Sequence, residues 1–323
     1  MNGAASHTSV SGVPAPQKPQ ALPPGAVVAV FAPASSASDE KIQLGCSELE
    51  RLGFSLKKRS QQASDGYFAA AIAERFVELF RNLRDERVDG LVALRGGYGS
   101  NYLLDAKLAS AAGEPKAVIG FSDLSSLQIF LWQKCRWVTF YGPMVAAGFA
   151  AGAGAANGYD EASLLNAVRN TDGGWEIPLR GEALVRGEAD GRLLGGAMTL
   201  VEATFGTPWE LDTRGAILIL EDRAMKPYQV DRVLMHFQQA GKLDGVKGIV
   251  LGDFPECEPP VAGSPTVRDV CARILGQLGV PVVFGAPVGH TLQPMLTIPL
   301  GVNARLRSQD DGTLEILEAA VTR

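Results

Sequence analysis

Three kinds of side chain able to work together in acyl transfer each stand on a turn that follows an apolar run. Ser122 comes directly after AVIGF (117–121) and opens the pattern SDLSSLQI. Gly120 lets the chain turn sharply there. A serine at such a strand-to-helix joint exposes its Oγ, and the next backbone N–H points at a developing oxyanion. The ordinary reading of the same serine is a helix cap, which is far more common. The match to G-x-S-x-G is also incomplete, because Leu124 stands where the second glycine belongs. A nucleophilic serine needs a base, usually histidine, and the chain contains three. His7 lies in an amino-terminal leader. His236 falls inside VDRVLMHFQQ, near the face of Val230, Leu234 and Phe237, and reads as a packed helix residue. His290 follows PVVFGAPVG and precedes TLQP, past a strand end on a glycine-flexed loop, where catalytic residues tend to be placed. The third part is an acid. Glu221 and Asp222 end the run ILILED, and strand alternation sends them to opposite faces, so one of the two can face a crevice. Together these are the parts of a serine–histidine–acid relay.

The elements that must hold these parts follow from periodicity. AVVAVFAP (26–33), GLVALRGG (90–97), AVIGF and WVTFYGP (137–143) are continuous apolar runs bounded by Gly or Pro, as buried parallel strands are. EKIQLGCSELERLG, AIAERFVELFRNLRDE and SNYLLDAKLASAAG between them carry helical spacing. The alternation predicts an α/β domain with a mostly parallel sheet over residues 25–168, after a leader at 1–24 that offers little to bury. The glycine- and alanine-rich text near 147–168 and the aperiodic stretch 169–190 read as the crossing, with 169–190 as the inter-domain linker. Residues 191–323 then form a β-rich carboxyl-terminal α/β domain. Its expected strands are GRLLGG, GAILILED, GIVLGDF, PVVFGAP and a closing hairpin with DDG at its turn. AMTLVEATFG, PYQVDRVLMHFQQAGKL and TVRDVCARILGQLG are its helices.

Bulk properties exclude several function classes. With 323 residues and 46% hydrophobic content the chain suits a two-domain globular protein. A formal charge of −5 gives no basic field for nucleic acid, and no apolar run reaches the roughly 18 residues of a membrane span. The leader lacks a basic start and an apolar core, so it does not read as a secretory signal. Cys46, Cys135, Cys257 and Cys271 are scattered, which suits buried thiols in the cytosol better than a disulfide framework. The histidines lack metal-ligand spacing. Arg95-Gly96-Gly97-Tyr98-Gly99 follows a strand, but a G-x-G-x-x-G reading fails at Tyr102, so a dinucleotide cofactor is rejected. Adjacent glycines at that strand end can still aim backbone N–H groups into a crevice.

These segments resemble the LD-carboxypeptidases, the serine peptidase group that includes muramoyltetrapeptide carboxypeptidases and microcin C self-immunity proteins. The resemblance runs from about Ala21 to Leu317 through LPPGAVVAVFAPAS, RGGYGSNYLL, GFSDLS, GTPWELDTRGAILILED with PYQVDRVL, and PVGH with TIPLG. It implies Ser122 as nucleophile, Glu221 as the acid and His290 as general base and acid. It also implies an oxyanion hole from the backbone N–H groups of Gly97 and Asp123, and an active site at the domain interface. Arg95, Gly96 and Tyr98 become candidates for binding substrate. The implied reaction is hydrolysis of an L,D-peptide bond, releasing D-Ala from a murein tetrapeptide in cytoplasmic peptidoglycan recycling. No metal or organic cofactor is implied, the partner is a small peptide, and the family's frequent dimerisation extends the expectation to a homodimer. Two places depart from the family pattern and bear on substrate. Ala197 ends a Gly-Gly-Ala where the family has Gly-Gly-Asn, and TLQPMLTIPLG lacks an asparagine before its final segment. A microcin-C-like immunity peptidase is the alternative enzyme, with Trp175 available to stack on a nucleobase. A catalytically silent ligand-binding relative is the other rival, and it has no need of Ser122, Glu221 and His290 together.

Overall fold

A computed structural model describes residues 14–57, 64–111 and 113–323. In chain order, β1 (Val27–Phe31), β2 (Ser55–Lys57), β3 (Gly90–Ala93), β4 (Ala117–Gly120) and β5 (Thr139–Tyr141) build a first sheet. Every residue of β3, β4 and β5 is buried, which is why these runs are apolar without alternation. A second sheet contains β6 (Trp175–Pro178), β7 (Glu182–Val185), β8 (Gly187–Ala197), β9 (Ala216–Glu221), β10 (Gly248–Gly252) and β11 (Val282–Ala286). The next strand, β12 (Ile298–Leu300), leaves that half and pairs antiparallel with β5 at the edge of the first sheet. The last two, β13 (Asn303–Ser308) and β14 (Thr313–Ile316), form the expected hairpin in the second sheet. The strand orders are β12-β5-β4-β3-β1-β2 and β6-β14-β13-β8-β9-β10-β11-β7. β8 to β11 are mutually parallel and are flanked by antiparallel strands.

The helices are α1 (Asp39–Arg51), α2 (Ile72–Arg84), α3 (Ala106–Ala111), α4 (Ser125–Cys135) and α5 (Glu161–Arg169), then α6 (Met198–Glu202), α7 (Pro227–Gln239) and α8 (Val267–Leu275). α4 joins the two halves. Ser125 to Trp132 are buried without a break. Leu127, Phe130 and Leu131 pack in one core, while Ile129 and Trp132 pack in the other. A helix covered on all sides loses its polar face; the polar residues that remain in SSLQIFLW include Gln128, whose Nε2 bonds Gly120 O and Phe140 O at 3.1 and 2.9 Å. The turn that carries Ser122 is therefore followed directly by a helix buried between the two cores.

Three expectations change. Residues 1–13 of the leader, His7 included, lie outside the described residues, but the rest is pinned rather than free. Gln17 donates to Arg136 O at 2.8 Å and accepts from Val138 N at 2.9 Å; Ala21 donates to Thr322 O at 2.8 Å. Leu22 is fully buried and donates to Val168 O. Prolines remove donors, but these three residues keep theirs, and one apolar side chain suffices to anchor the strap. The 169–190 stretch is not an open linker, because it holds β6, β7 and the start of β8. β6 and β7, of four residues each, are too short for alternation to show in the sequence. Finally, SNYLLDAKLASAAG is two pieces, a 3₁₀ turn (Ser100–Leu103) and α3. Asp105 separates them, its carboxylate accepting from Lys107 N and Leu108 N at 2.6 and 3.0 Å. An aspartate that bonds the backbone ahead of it starts a helix rather than continuing one.

Candidate active site

Ser122, Glu221 and His290 come from the ends of β4 and β9 and from the loop after β11. Glu221 is fully buried, and its Oε2 accepts from both the backbone N–H and the Nδ1 of His290 at 2.9 Å. A carboxylate only accepts, so Nδ1 carries the proton and Nε2 is left to take one from another group. This contact requires Gly289. A Cβ there would fall 2.3 Å from Glu221 Cδ, and the backbone is left-handed at φ 64°. Burial opposes charging of the His290 ring, but the charge and hydrogen bond of Glu221 outweigh it, so the imidazole titrates above its ordinary value. Asp222 is engaged by a different neighbour. Its Oδ2 accepts from Thr199 N and Oγ1 at 3.0 and 2.8 Å, tying β9 to α6. Strand alternation left both acids open; the packing of the loop onto Glu221 separates them.

The serine turn is made by Ser122 itself, at φ 62°. A non-glycine residue pays about 1–2 kcal/mol for that conformation. The 3₁₀ turn Ser122–Leu124 precedes α4, and no side-chain cap bond is made at either start, so capping does not account for the serine. Gly96 approaches closely, since a Cβ on it would lie 2.9 Å from Ser122 Cβ and Oγ. A cavity of about 370 Å³ is lined by Ser122, His290, Arg95, Gly96, Gly97 and Asp222 among others. A second lobe of about 470 Å³ continues past His290 and shares Phe121, Ala147 and Arg223 with the first. The Phe121 ring stands edge-on to His290 with centroids 5.1 Å apart.

Comparison with known proteins decides the family. Models of the LD-carboxypeptidase N-terminal and C-terminal domains match residues 28–142 and 190–306. The chain belongs to the LD-carboxypeptidase family. It is 32% identical to a probable murein peptide carboxypeptidase of Bacillus subtilis over 94% of this chain and 95% of that one. A solved muramoyltetrapeptide carboxypeptidase from Oxalobacter formigenes is 27% identical, with a TM-score of 0.78 over 92% of this chain and all of that one. The microcin C7 self-immunity protein, solved in complex with glutamyl sulfamoyl guanosine, shares the fold at a TM-score of 0.82 and 23% identity, over 95% of this chain and 100% of that one. The chain is thus a carboxypeptidase-family hydrolase with a two-domain α/β fold.

The remaining residues expected at an LD-carboxypeptidase site divide. Arg95, Gly96 and Gly97 line the serine lobe, with Arg95 Nη1 donating to Ser36 O at 3.0 Å. Tyr98 sits beside the lobe in an exposed aromatic cluster, stacked on Phe68 and edge-on to Tyr102. Asp123 is buried, and its Oδ2 accepts from Ser100 N at 2.8 Å, which binds the glycine loop to the serine turn. Burial pushes the Asp123 carboxyl up from its ordinary value despite those bonds. Trp175, the residue offered for stacking on a base, is buried in β6. His236 is half exposed on α7, paired with Glu202 at 2.8 Å and edge-on to Phe205; it is a surface residue rather than a packed one.

Two residues carry no motif and were not singled out by sequence. Arg75 of α2 is buried; its Nε bonds Ala70 O at 3.1 Å and its Nη1 bonds Gly99 O at 2.9 Å and Pro33 O, fixing three loops around the glycine turn. Tyr141, at the end of β5, donates its hydroxyl to Glu221 Oε1. Arg75 is one of many helix arginines, and Tyr141 is hidden in an apolar run, so neither stands out by spacing.

Proposed function

We propose that this chain is a serine-type carboxypeptidase that hydrolyses an L,D-peptide bond, releasing the terminal D-Ala of a murein tetrapeptide. One observation carries the reading: Ser122, held in a strained turn, lines the same cavity as a histidine whose Nδ1 is engaged by a buried glutamate. Ser122 Oγ attacks the scissile carbonyl carbon while His290 Nε2 takes the hydroxyl proton. Glu221 stabilises the imidazolium so formed. The carbonyl oxygen becomes an oxyanion facing the N–H groups of Gly97 and Asp123, neither of which donates to a turn or loop carbonyl among the described residues. Collapse breaks the C–N bond, and His290 returns the proton to the leaving amine. Water, deprotonated by His290, then attacks the acyl-Ser122 ester; the C–Oγ bond breaks, His290 returns the proton to Ser122 Oγ, and the shortened peptide leaves as its carboxylate. Arg95 at the cavity wall is the cation for the substrate's terminal carboxylate. The same reading puts the reaction in cytoplasmic peptidoglycan recycling.

The names of the Bacillus and Oxalobacter relatives support a murein substrate. The peptidyl-nucleotide alternative loses the aromatic group offered for it, because Trp175 is buried. Incubating the protein with L-Ala-γ-D-Glu-diaminopimelate-D-Ala, and separately with glutamyl sulfamoyl guanosine, tests both. Free D-Ala by mass spectrometry is expected in the first tube. Cleavage in the second tube alone would replace the murein reading.

A further inference from the structure

One buried hydroxyl bonds two of the three triad segments directly, the serine turn and the end of β9. Tyr141 is fully buried at the end of β5. Its hydroxyl donates to Glu221 Oε1, accepts from the backbone N–H of Ser122 at 3.4 Å, and shares a hydrogen bond with the Ser125 hydroxyl. Ser125 in turn accepts from Ala197 N at 3.0 Å, so the same small network reaches the end of β8. Glu221 Oε2 is occupied by the two N–H groups of His290. Each carboxylate oxygen is therefore occupied, Oε1 by Tyr141 from the end of β5 and Oε2 by His290 from the loop after β11.

We propose that Tyr141 is a positioning residue of the relay: its O–H fixes the Glu221 carboxylate with Oε2 toward His290 and links that acid to the nucleophile turn. This rests on the assignment of Ser122, Glu221 and His290 as the triad. A carboxylate shut away from water needs donors on both oxygens, and a neutral donor helps to spread its charge. Burial, with the neighbouring Glu221 charge, holds the Tyr141 phenol well above its ordinary value, so it remains a donor across the working pH range. Without the O–H, Oε1 is left with no donor in a place closed to solvent. The negative charge then concentrates on Oε2, and the carboxylate gains freedom to rotate. Two consequences follow. Oε2 holds the imidazolium more tightly, so His290 titrates higher. The aligned state of the histidine is less populated, so the chemical step slows while substrate binding does not change. The other charged groups acting on His290 are Asp222 and Arg223, and Asp253 bonds Thr291 beside it at 2.8 Å; none of them touches Tyr141.

Tyr141→Phe in the full chain removes only the hydroxyl. Against the murein tetrapeptide, kcat should fall about tenfold, as loss of a hydrogen bond to a charged group does, with KM within about twofold. The acidic limb of the kcat/KM profile should move to higher pH. A kcat within about twofold of wild type and an unmoved limb overturn the proposal, as does a loss explained by KM and thermal melting alone. Should the Phe variant not fold, 3-fluorotyrosine at position 141 keeps the shape and strengthens the donor. Its limb should then move to lower pH, and an unmoved limb overturns the proposal. Glu221→Gln in the same assay separates the two layers. If Glu221→Gln is fully active, the triad assignment fails, and the proposal with it. If Glu221→Gln is inactive and Tyr141→Phe is unaffected, only the role of Tyr141 falls.

Discussion

Glu221→Gln is the sharpest single test of the relay, because the geometry limits what the new side chain can do. Glutamine is isosteric with glutamate, so no cavity opens. Two N–H groups of His290 converge on the Oε2 position, and an amide nitrogen there would face donors with a donor. The amide must therefore place its oxygen toward His290 and its NH₂ toward Tyr141, whose oxygen can still accept. Shape and most hydrogen bonds survive; the charge does not. At the 2.9 Å separation of Oε2 and Nδ1, an effective dielectric of about 20 gives an attraction of up to about 6 kcal/mol for the imidazolium formed during attack. At 1.36 kcal/mol per decade that is a ceiling of roughly 10⁴ in rate, and disabling the triad acid of another serine protease costs a similar factor. We expect kcat to drop by about 10³–10⁴ with a melting temperature close to wild type. Release of D-Ala, followed by a coupled D-amino-acid oxidase assay alongside thermal melts, reads both quantities. Asp222→Asn should be far milder on kcat, since Asp222 serves Thr199 and the Arg223 N–H. A Glu221→Gln enzyme within tenfold of wild type, or an Asp222→Asn enzyme that is the more damaged of the two, would refute the reasoning.

Three further outcomes are expected. Ser122→Ala should abolish turnover with a stability change of about 1 kcal/mol or less, and Ser122→Gly should melt no lower than Ser122→Ala because glycine accepts φ 62° without strain; residual wild-type-like turnover in either removes Ser122 from the mechanism. Gly289→Ala should lose activity as Glu221→Gln does and destabilise by about 1–3 kcal/mol, since its Cβ would strike Glu221 Cδ at 2.3 Å; an active, stable variant contradicts the packing described. As general base His290 must be neutral, and Glu221 raises its pKa, so kcat/KM should fall as pH drops through a value above the ordinary imidazole 6.5; in Glu221→Gln any measurable limb should move to lower pH, and a limb that does not move shows that another group titrates.

Much of this site could be read from the chain alone because its determinants are local. Apolar runs of strand length ending in Gly-Phe-Ser, Glu-Asp and Gly-His specify where a buried strand stops and a polar group emerges. Short-range backbone preference and burial suffice for that. Local order also marked α1, α2, α7 and α8, whose apolar residues repeat at helical spacing. What depends on distant neighbours could not be read. Residues 298–300 complete the first sheet from the far end of the chain, and β6 and β7 are strands because β14 and β11 lie beside them. Alternation states that Glu221 and Asp222 diverge, but only the loop folded over Gly289 decides which of them meets the histidine. The Tyr141 hydroxyl is silent in WVTFYGP for the same reason. A side chain's partners are chosen by the packing of separate strands, and sequence spacing records only its own strand.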